Sequence, residues 1–229
     1  MHAWKAGPQT VAPRKQLVDL PCGGGCIQTA LKAPYAKSIW SATPTWRRAF
    51  VSRQQSLTMT ETLIIPGLHN SGPTHWQSWF EERLPAARRV HQADWERPVL
   101  SGWAEQVRTA IDTSVGDVWL VAHSFGCLAA VTAGFDRPGR IRGALLVAPA
   151  DPDRFGIAKV LLEERLEFPS ILVASSNDPW VSASAAEYWA AQWDSKFINV
   201  GDLGHINVDS GHGPWPQGLG FFDRLRASR

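Results

Sequence analysis

The sequence predicts an α/β fold: a mostly parallel sheet of about six strands with helices on both faces. Three observations lead there. From residue 59 onward, short apolar runs alternate regularly with amphipathic segments. The apolar runs have the length of buried strands, and helix-like stretches separate them, as a parallel sheet covered on both faces requires. Finally, 229 residues with 44% hydrophobic content suffice for one globular domain.

The elements follow in order. Residues 1–58 show no sustained period of 2 or 3.6 and are interrupted by five prolines and the Gly23-Gly24-Gly25 run, which are loop signals. They carry eight Lys/Arg against one acid, Asp19, whereas the rest of the chain has fifteen basic and twenty acidic residues. Residues 1–58 are therefore expected to be a disordered basic extension or a misassigned start, with the domain at 59–229. Met59, the only internal methionine, immediately precedes the first convincing strand. A basic, acid-poor segment also suits an organellar transit peptide, but no apolar h-region makes it a secretory signal. Strands are predicted at 62–66, 88–92, 117–122, 143–147, 171–174 and 196–200. Helices are predicted at 75–84, 102–112, 125–135, 182–193 and near 218–226. Right-handed crossovers put the loops after the strand C-termini on one edge, where such sheets bind ligands.

Composition excludes several classes. A mildly acidic domain gives no reason to expect nucleic-acid binding, and no run approaches the ~18 apolar residues of a membrane span. Three cysteines, Cys22, Cys26 and Cys127, are too sparse and odd a set for a disulfide framework and fit a reducing, cytoplasmic setting. The Cys22-x3-Cys26 spacing has no second ligand pair, so no metal site is expected.

The strongest local signal is Val118-Trp119-Leu120-Val121-Ala122-His123-Ser124-Phe125-Gly126, an apolar strand running through a sharp turn into a helix of small residues. This is the G-x-S-x-G nucleophile elbow with Ala122 at the first glycine position. The turn must expose Ser124 at the helix start, and small residues two before and two after let strand and helix approach. Serine needs an oriented base. In this architecture the partners follow in the order Ser, Asp, His, each after a strand. Asp178 follows the strand at 171–174 and His205 follows the last strand. His123 should point away from Ser124, Asp202 and Asp209 do not sit on the preceding strand, and His212 is the competing base. An oxyanion would take the backbone N–H of Phe125 and one from the loop Pro66-Gly67-Leu68-His69-Asn70-Ser71-Gly72, with Leu68 as donor. His69 and His75 are further candidates for substrate contact. Of nine tryptophans after residue 58, Trp76, Trp180 and Trp215 are expected to wall the pocket.

With these residues in place, 62–216 resembles the small serine hydrolases typified by the retinoblastoma-binding serine hydrolase, a compact branch of the α/β-hydrolase superfamily. The matching stretches include residues 66–76, Asp94-Trp95-Glu96-Arg97-Pro98, Ala148-Pro149-Ala150-Asp151, Ser176-Asn177-Asp178-Pro179 and Gly204-His205-Ile206-Asn207. The resemblance implies a cofactor-free hydrolase with Ser124, Asp178 and His205 in the triad roles, and it names neither a metabolite nor a protein partner. Only 23 residues, 148–170, separate the fourth and fifth strands, room for a loop and one short helix at 157–166 rather than a large cap domain. A shallow pocket and a small ester substrate are expected. A non-catalytic protein-binding module on the same scaffold is the alternative.

Overall fold

Strands covered on both faces need predominantly apolar side chains, and four segments supply them. A computed structural model of the chain describes residues 60–162 and 165–228. Its sheet holds β1 (Glu61–Ile65), β2 (Ala87–Arg89), β3 (Val118–His123), β4 (Ile141–Val147), β5 (Ser170–Ala174) and β6 (Lys196–Asn199). The spatial order is β2-β1-β3-β4-β5-β6, and every pairing is parallel. The expected sheet is thus present, and it is wholly rather than mostly parallel. The inner strands β1, β3, β4 and β5 are the apolar ones. The outer strands carry Arg88, Arg89 and Lys196 and are only partly buried, a charge pattern that discourages edge-to-edge pairing.

Side chains alternate between two cores. Leu63, Ile65, Leu120, Ala122, Leu146 and Leu172 face one side, where α2 (Leu100–Thr113), α3 (Phe125–Asp136) and α5 (Ala183–Gln192) pack. Ile64, Val121, Leu145 and Val173 face the other, against α1 (Trp76–Arg83) and α6 (Pro216–Ala227). Trp76, Phe80 and Phe222 are completely buried on that second side, each burial contributing roughly 1.5–3 kcal/mol.

Two features place the site. The chain moves outward from β1 to β2, then returns across β1 to β3, so the loops after β1 and β3 diverge at a switch point. Among the described residues, the only helix between β4 and β5 is α4 (Ala158–Leu161), four residues rather than the ten expected, and no large cap domain covers the sheet edge. The expectations for residues 1–58 and for Cys22 and Cys26 lie outside the described residues. Among those described, no helix is long and apolar enough to cross a membrane.

Candidate active site

The turn after β3 is built by backbone constraint. Ser124 adopts φ 54° and ψ −127°, a conformation an L-residue holds only when its surroundings enforce it. Its N–H donates to Val147 O at 3.1 Å, tying the turn to β4. A Cβ on Gly126 would lie 2.4 Å from Pro66 O, so glycine is required where α3 crosses the end of β1. Gly67 meets the same demand from the opposite loop, since its Cβ would fall 2.6 Å from the Ser124 Cβ. Ala122, at the first small position of the motif, is fully buried.

Ser124 Oγ lies 3.0 Å from His205 Nε2, and His205 Nδ1 lies 2.8 Å and 3.1 Å from the two Asp178 oxygens. Asp178 accepts, so Nδ1 carries the proton and Nε2 presents its lone pair to the Ser124 hydroxyl. The Asp178 side chain is wholly buried and also accepts the Trp180 N–H at 2.8 Å. The loops bearing these two residues are cross-linked: Asn177 Oδ1 accepts the Gly204 N–H at 2.7 Å, and Ser175 Oγ accepts the Leu203 N–H at 2.9 Å. His205 sits between Gly204 (φ 58°) and Ile206 (φ 48°), two left-handed residues that give the loop its turn.

His123 does not bear on Ser124. Buried, it donates its Nε2–H to His205 O at 3.0 Å and so fixes the histidine loop from below. Burial, reinforced by the neighbouring His75, holds its pKa well below the usual histidine range, so it stays neutral. Neither Leu68 N–H nor Phe125 N–H donates a hydrogen bond to any described residue, and Leu68 lines the cavity beside Ser124. The loop carrying Leu68 is held from behind by the buried Gln77 and the partly buried Arg89, which nothing in the sequence marked. Gln77 donates from Nε2 to Ile65 O (3.1 Å) and Val121 O (3.2 Å), bridging β1 and β3 where they part, while its Oε1 accepts the Ser71 hydroxyl at 2.6 Å. Arg89 donates to Asn70 Oδ1 (2.9 Å) and Ser71 O (2.5 Å) and pairs with Glu81 at 2.7 Å.

Around Ser124 lies a cavity of about 460 Å³. Trp180 lines it, 57% exposed and edge-on to His205. Trp76 and Trp215 do not, which corrects their expected role as pocket walls. Both are core residues packed at 5.3 Å against each other, and the Trp76 Nε1–H donates to Ile206 O at 2.8 Å, bracing the His205 loop instead. A tryptophan after the first loop fills core here because α1 turns that face toward the sheet. His69 stands at the rim, paired with Glu96 at 2.9 Å in solvent. His75 is buried. His212 lies apart, 3.2 Å from Ser210 Oγ, and Asp202 is exposed, while Asp209 sits exposed on the cavity rim. Cys127, the nearby thiol, is buried against Val147 O, and burial pushes its pKa up, so it is no competing nucleophile. No cluster of potential metal ligands occurs among the described residues.

A family model described as Serine hydrolase matches residues 62–224, more than half of the chain. Among solved structures, a protein of Pectobacterium atrosepticum SCRI1043 described as a YdeN-like hydrolase is 36% identical, covers 78% of this chain and 96% of its own, and superposes with a TM-score of 0.70. The ydeN gene product of B. subtilis is 22% identical over 74% of this chain and all of its own, with a TM-score of 0.61. Est1E of Butyrivibrio proteoclasticus shares the fold at 14% identity, covering 73% of this chain and 88% of its own, with a TM-score of 0.55. No curated protein matches the chain.

Proposed function

The chain belongs to the serine hydrolase family, and we propose that it is an esterase that cleaves small esters through an acyl-enzyme formed on Ser124. The observation that carries this is the continuous hydrogen-bonded relay Ser124–His205–Asp178, with contacts of 3.0 and 2.8 Å, opening into a cavity. Ser124 Oγ attacks the acyl carbonyl as His205 Nε2 takes its proton. Asp178 holds the imidazole tautomer and stabilises the imidazolium. The N–H groups of Phe125 and Leu68 receive the oxyanion; neither donates to a described residue. The protonated His205 gives its proton to the leaving alcohol, water enters, and the same base activates it to release the acid. Esters are favoured over amides because an alkoxide departs with less assistance than an amine, and the cavity suits a small substrate. Nothing in this chemistry calls on a metal or cofactor.

Ser124→Ala tests the assignment. Labelling by an activated phosphonate should vanish, and ester turnover should fall by about 10⁴- to 10⁶-fold, with the thermal transition retained. Wild-type turnover in that variant would overturn the role of Ser124. A wild-type protein that neither labels nor turns over any ester would point instead to a protein-binding module.

A further inference from the structure

His75 occupies an unusual position for a histidine, because one ring nitrogen is consumed by the backbone and the other has no partner among the described residues. It is the N-cap of α1, and its Nδ1 accepts the Gln77 N–H at 3.1 Å. That contact fixes Nδ1 as the acceptor, so the neutral ring carries its proton on Nε2. The residue is only 5% exposed, yet it lines the cavity that holds Ser124. No described residue accepts from Nε2, and that atom is not sealed off from solvent. The His75 Nε2–H is thus a donor without a partner among the described residues, on a side chain that lines the cavity. His123 lies between it and the relay, with ring centroids 5.0 Å from His75 and 4.9 Å from His205.

Two neighbours repeat the pattern. Asn70 lines the same cavity, and its Oδ1 is already engaged by the Ser71 N–H (2.7 Å) and Arg89 (2.9 Å). Asn207 also lines it, with Oδ1 accepting the Ser210 N–H at 3.1 Å. In each case the acceptor end is tied to the fold, leaving the Nδ2 amide as donor. Burial, with the charge of Arg89, lowers the His75 pKa to about 4, so the ring is an uncharged donor at neutral pH. The carboxylates of Asp151 and Asp209 also border the cavity and disfavour an anionic ligand.

We propose that this side of the cavity is a polar subsite in which the His75 Nε2–H, with the Asn70 and Asn207 amides, binds an uncharged carbonyl oxygen that the substrate carries in addition to its scissile ester. This names the substrate class, an oxo-substituted ester, and it rests on the esterase reading of the site. The physical basis is selective: a buried donor left unpaired penalises ligands lacking the oxygen, so a site of this kind discriminates more sharply than an apolar pocket.

The test uses the full-length chain carrying Ser124→Ala, which binds esters without turning them over. Ligands of matched shape are compared by NMR titration: methyl 3-, 4- and 5-oxohexanoate against methyl 3-, 4- and 5-methylhexanoate, and acetates of the corresponding oxo- and methyl-branched alcohols. Adding His75→Asp, which keeps a helix cap but has no N–H, should lower the oxo-to-methyl affinity ratio about tenfold in at least one pair. His75→Asn, which keeps both cap and donor, should hold the ratio within about threefold. A ratio unmoved by His75→Asp in every pair would overturn the subsite. So would an equal fall in both variants, which would trace the effect to ring shape. Failure of the esterase reading has a separate signature, absence of phosphonate labelling in the wild type, and it leaves these binding comparisons intact.

Discussion

The two walls of the cavity are made differently. On one side stand the loop after β1 and the start of α1, where Ser71, His75 and Gln77 are all at or below 5% exposure; Gln77 bonds the ends of β1 and β3 and the Ser71 hydroxyl, and its N–H is capped by His75 Nδ1. On the other side stand Phe155 and Trp180, which are 39% and 57% exposed. Arg154 on that side is held by little more than a 3.3 Å bond to Pro179 O. The first wall is a polar frame anchored to the sheet, and its donors need fixed positions because charge develops beside them. The second is a half-exposed apolar rim, with Phe155 carried by the connection after β4 and Trp180 by the loop after β5. Chemistry is assigned to the rigid wall and selectivity for chain length to the loose one, and three measurements test that division.

The largest effect should come from acid. His75 is neutral in the folded protein, with its pKa lowered by burial to about 4, whereas an unfolded histidine titrates near 6.5. The folded state therefore has this contribution in full above pH 6.5 and loses it as the pH falls toward 4, because the unfolded chain binds the proton and the folded one does not. The loss amounts to about 3 kcal/mol by linkage. His123, buried and lowered in the same direction, adds to it. Thermal melts from pH 7 to 4.5 should show a falling Tm, and His75→Asn should flatten part of the slope. A Tm independent of pH over that range would show that burial does not hold His75 neutral in the folded protein.

Next in size is Gln77→Leu. It leaves Ile65 O, Val121 O and the Ser71 hydroxyl without their partner, a destabilisation of about 1–3 kcal/mol. Because the amide braces the Leu68 loop, kcat should fall about tenfold to a hundredfold with KM little changed, short of the ~10²–10³ seen when an oxyanion donor is removed outright. A loss confined to stability, with kcat intact at low temperature, would mean the frame does not govern the donor position.

How much of this was legible beforehand depended on whether a role follows from chain position or from packing. The sheet and the three residues on the ends of β3, β5 and β6 are functions of order along the chain, so apolar runs and residue types revealed them, and the structure brings Ser124, His205 and Asp178 together. Gly67 was readable for the same reason, as a turn at a strand end, and Gly126 as the small residue that lets strand and helix approach. Gln77 was not, because a glutamine in Trp76-Gln77-Ser78-Trp79 looks like a surface residue until the helix is rotated against the sheet. The same rotation buries Trp76 and, through it, Trp215, which is why two tryptophans assigned to the pocket belong to the core. Arg89 ends an edge strand and bonds to a loop distant in sequence, a contact that no local pattern encodes.

The smallest effect belongs to the open rim and concerns chain length. Each methylene that the cavity buries adds about 0.8 kcal/mol, or roughly fourfold in kcat/KM, so the first carbons of an acyl chain should be rewarded. A cavity of about 460 Å³ whose far wall is exposed cannot keep burying them. Activity on p-nitrophenyl esters should therefore peak at short chains and decline thereafter. Phe155 packs edge-on against Phe125 at 4.9 Å, and Trp180 approaches His205 at 6.4 Å, so these two rings are the ones a longer chain would meet. Replacing either with alanine should move kcat/KM by only a few-fold for the short esters, since a half-exposed ring gives up only part of the burial energy of a core residue, and should shift the position of the peak. A steady rise from acetate to palmitate would show a long groove where the structure has an open rim, and the division between a rigid catalytic wall and a loose selective one would fail at its selective end.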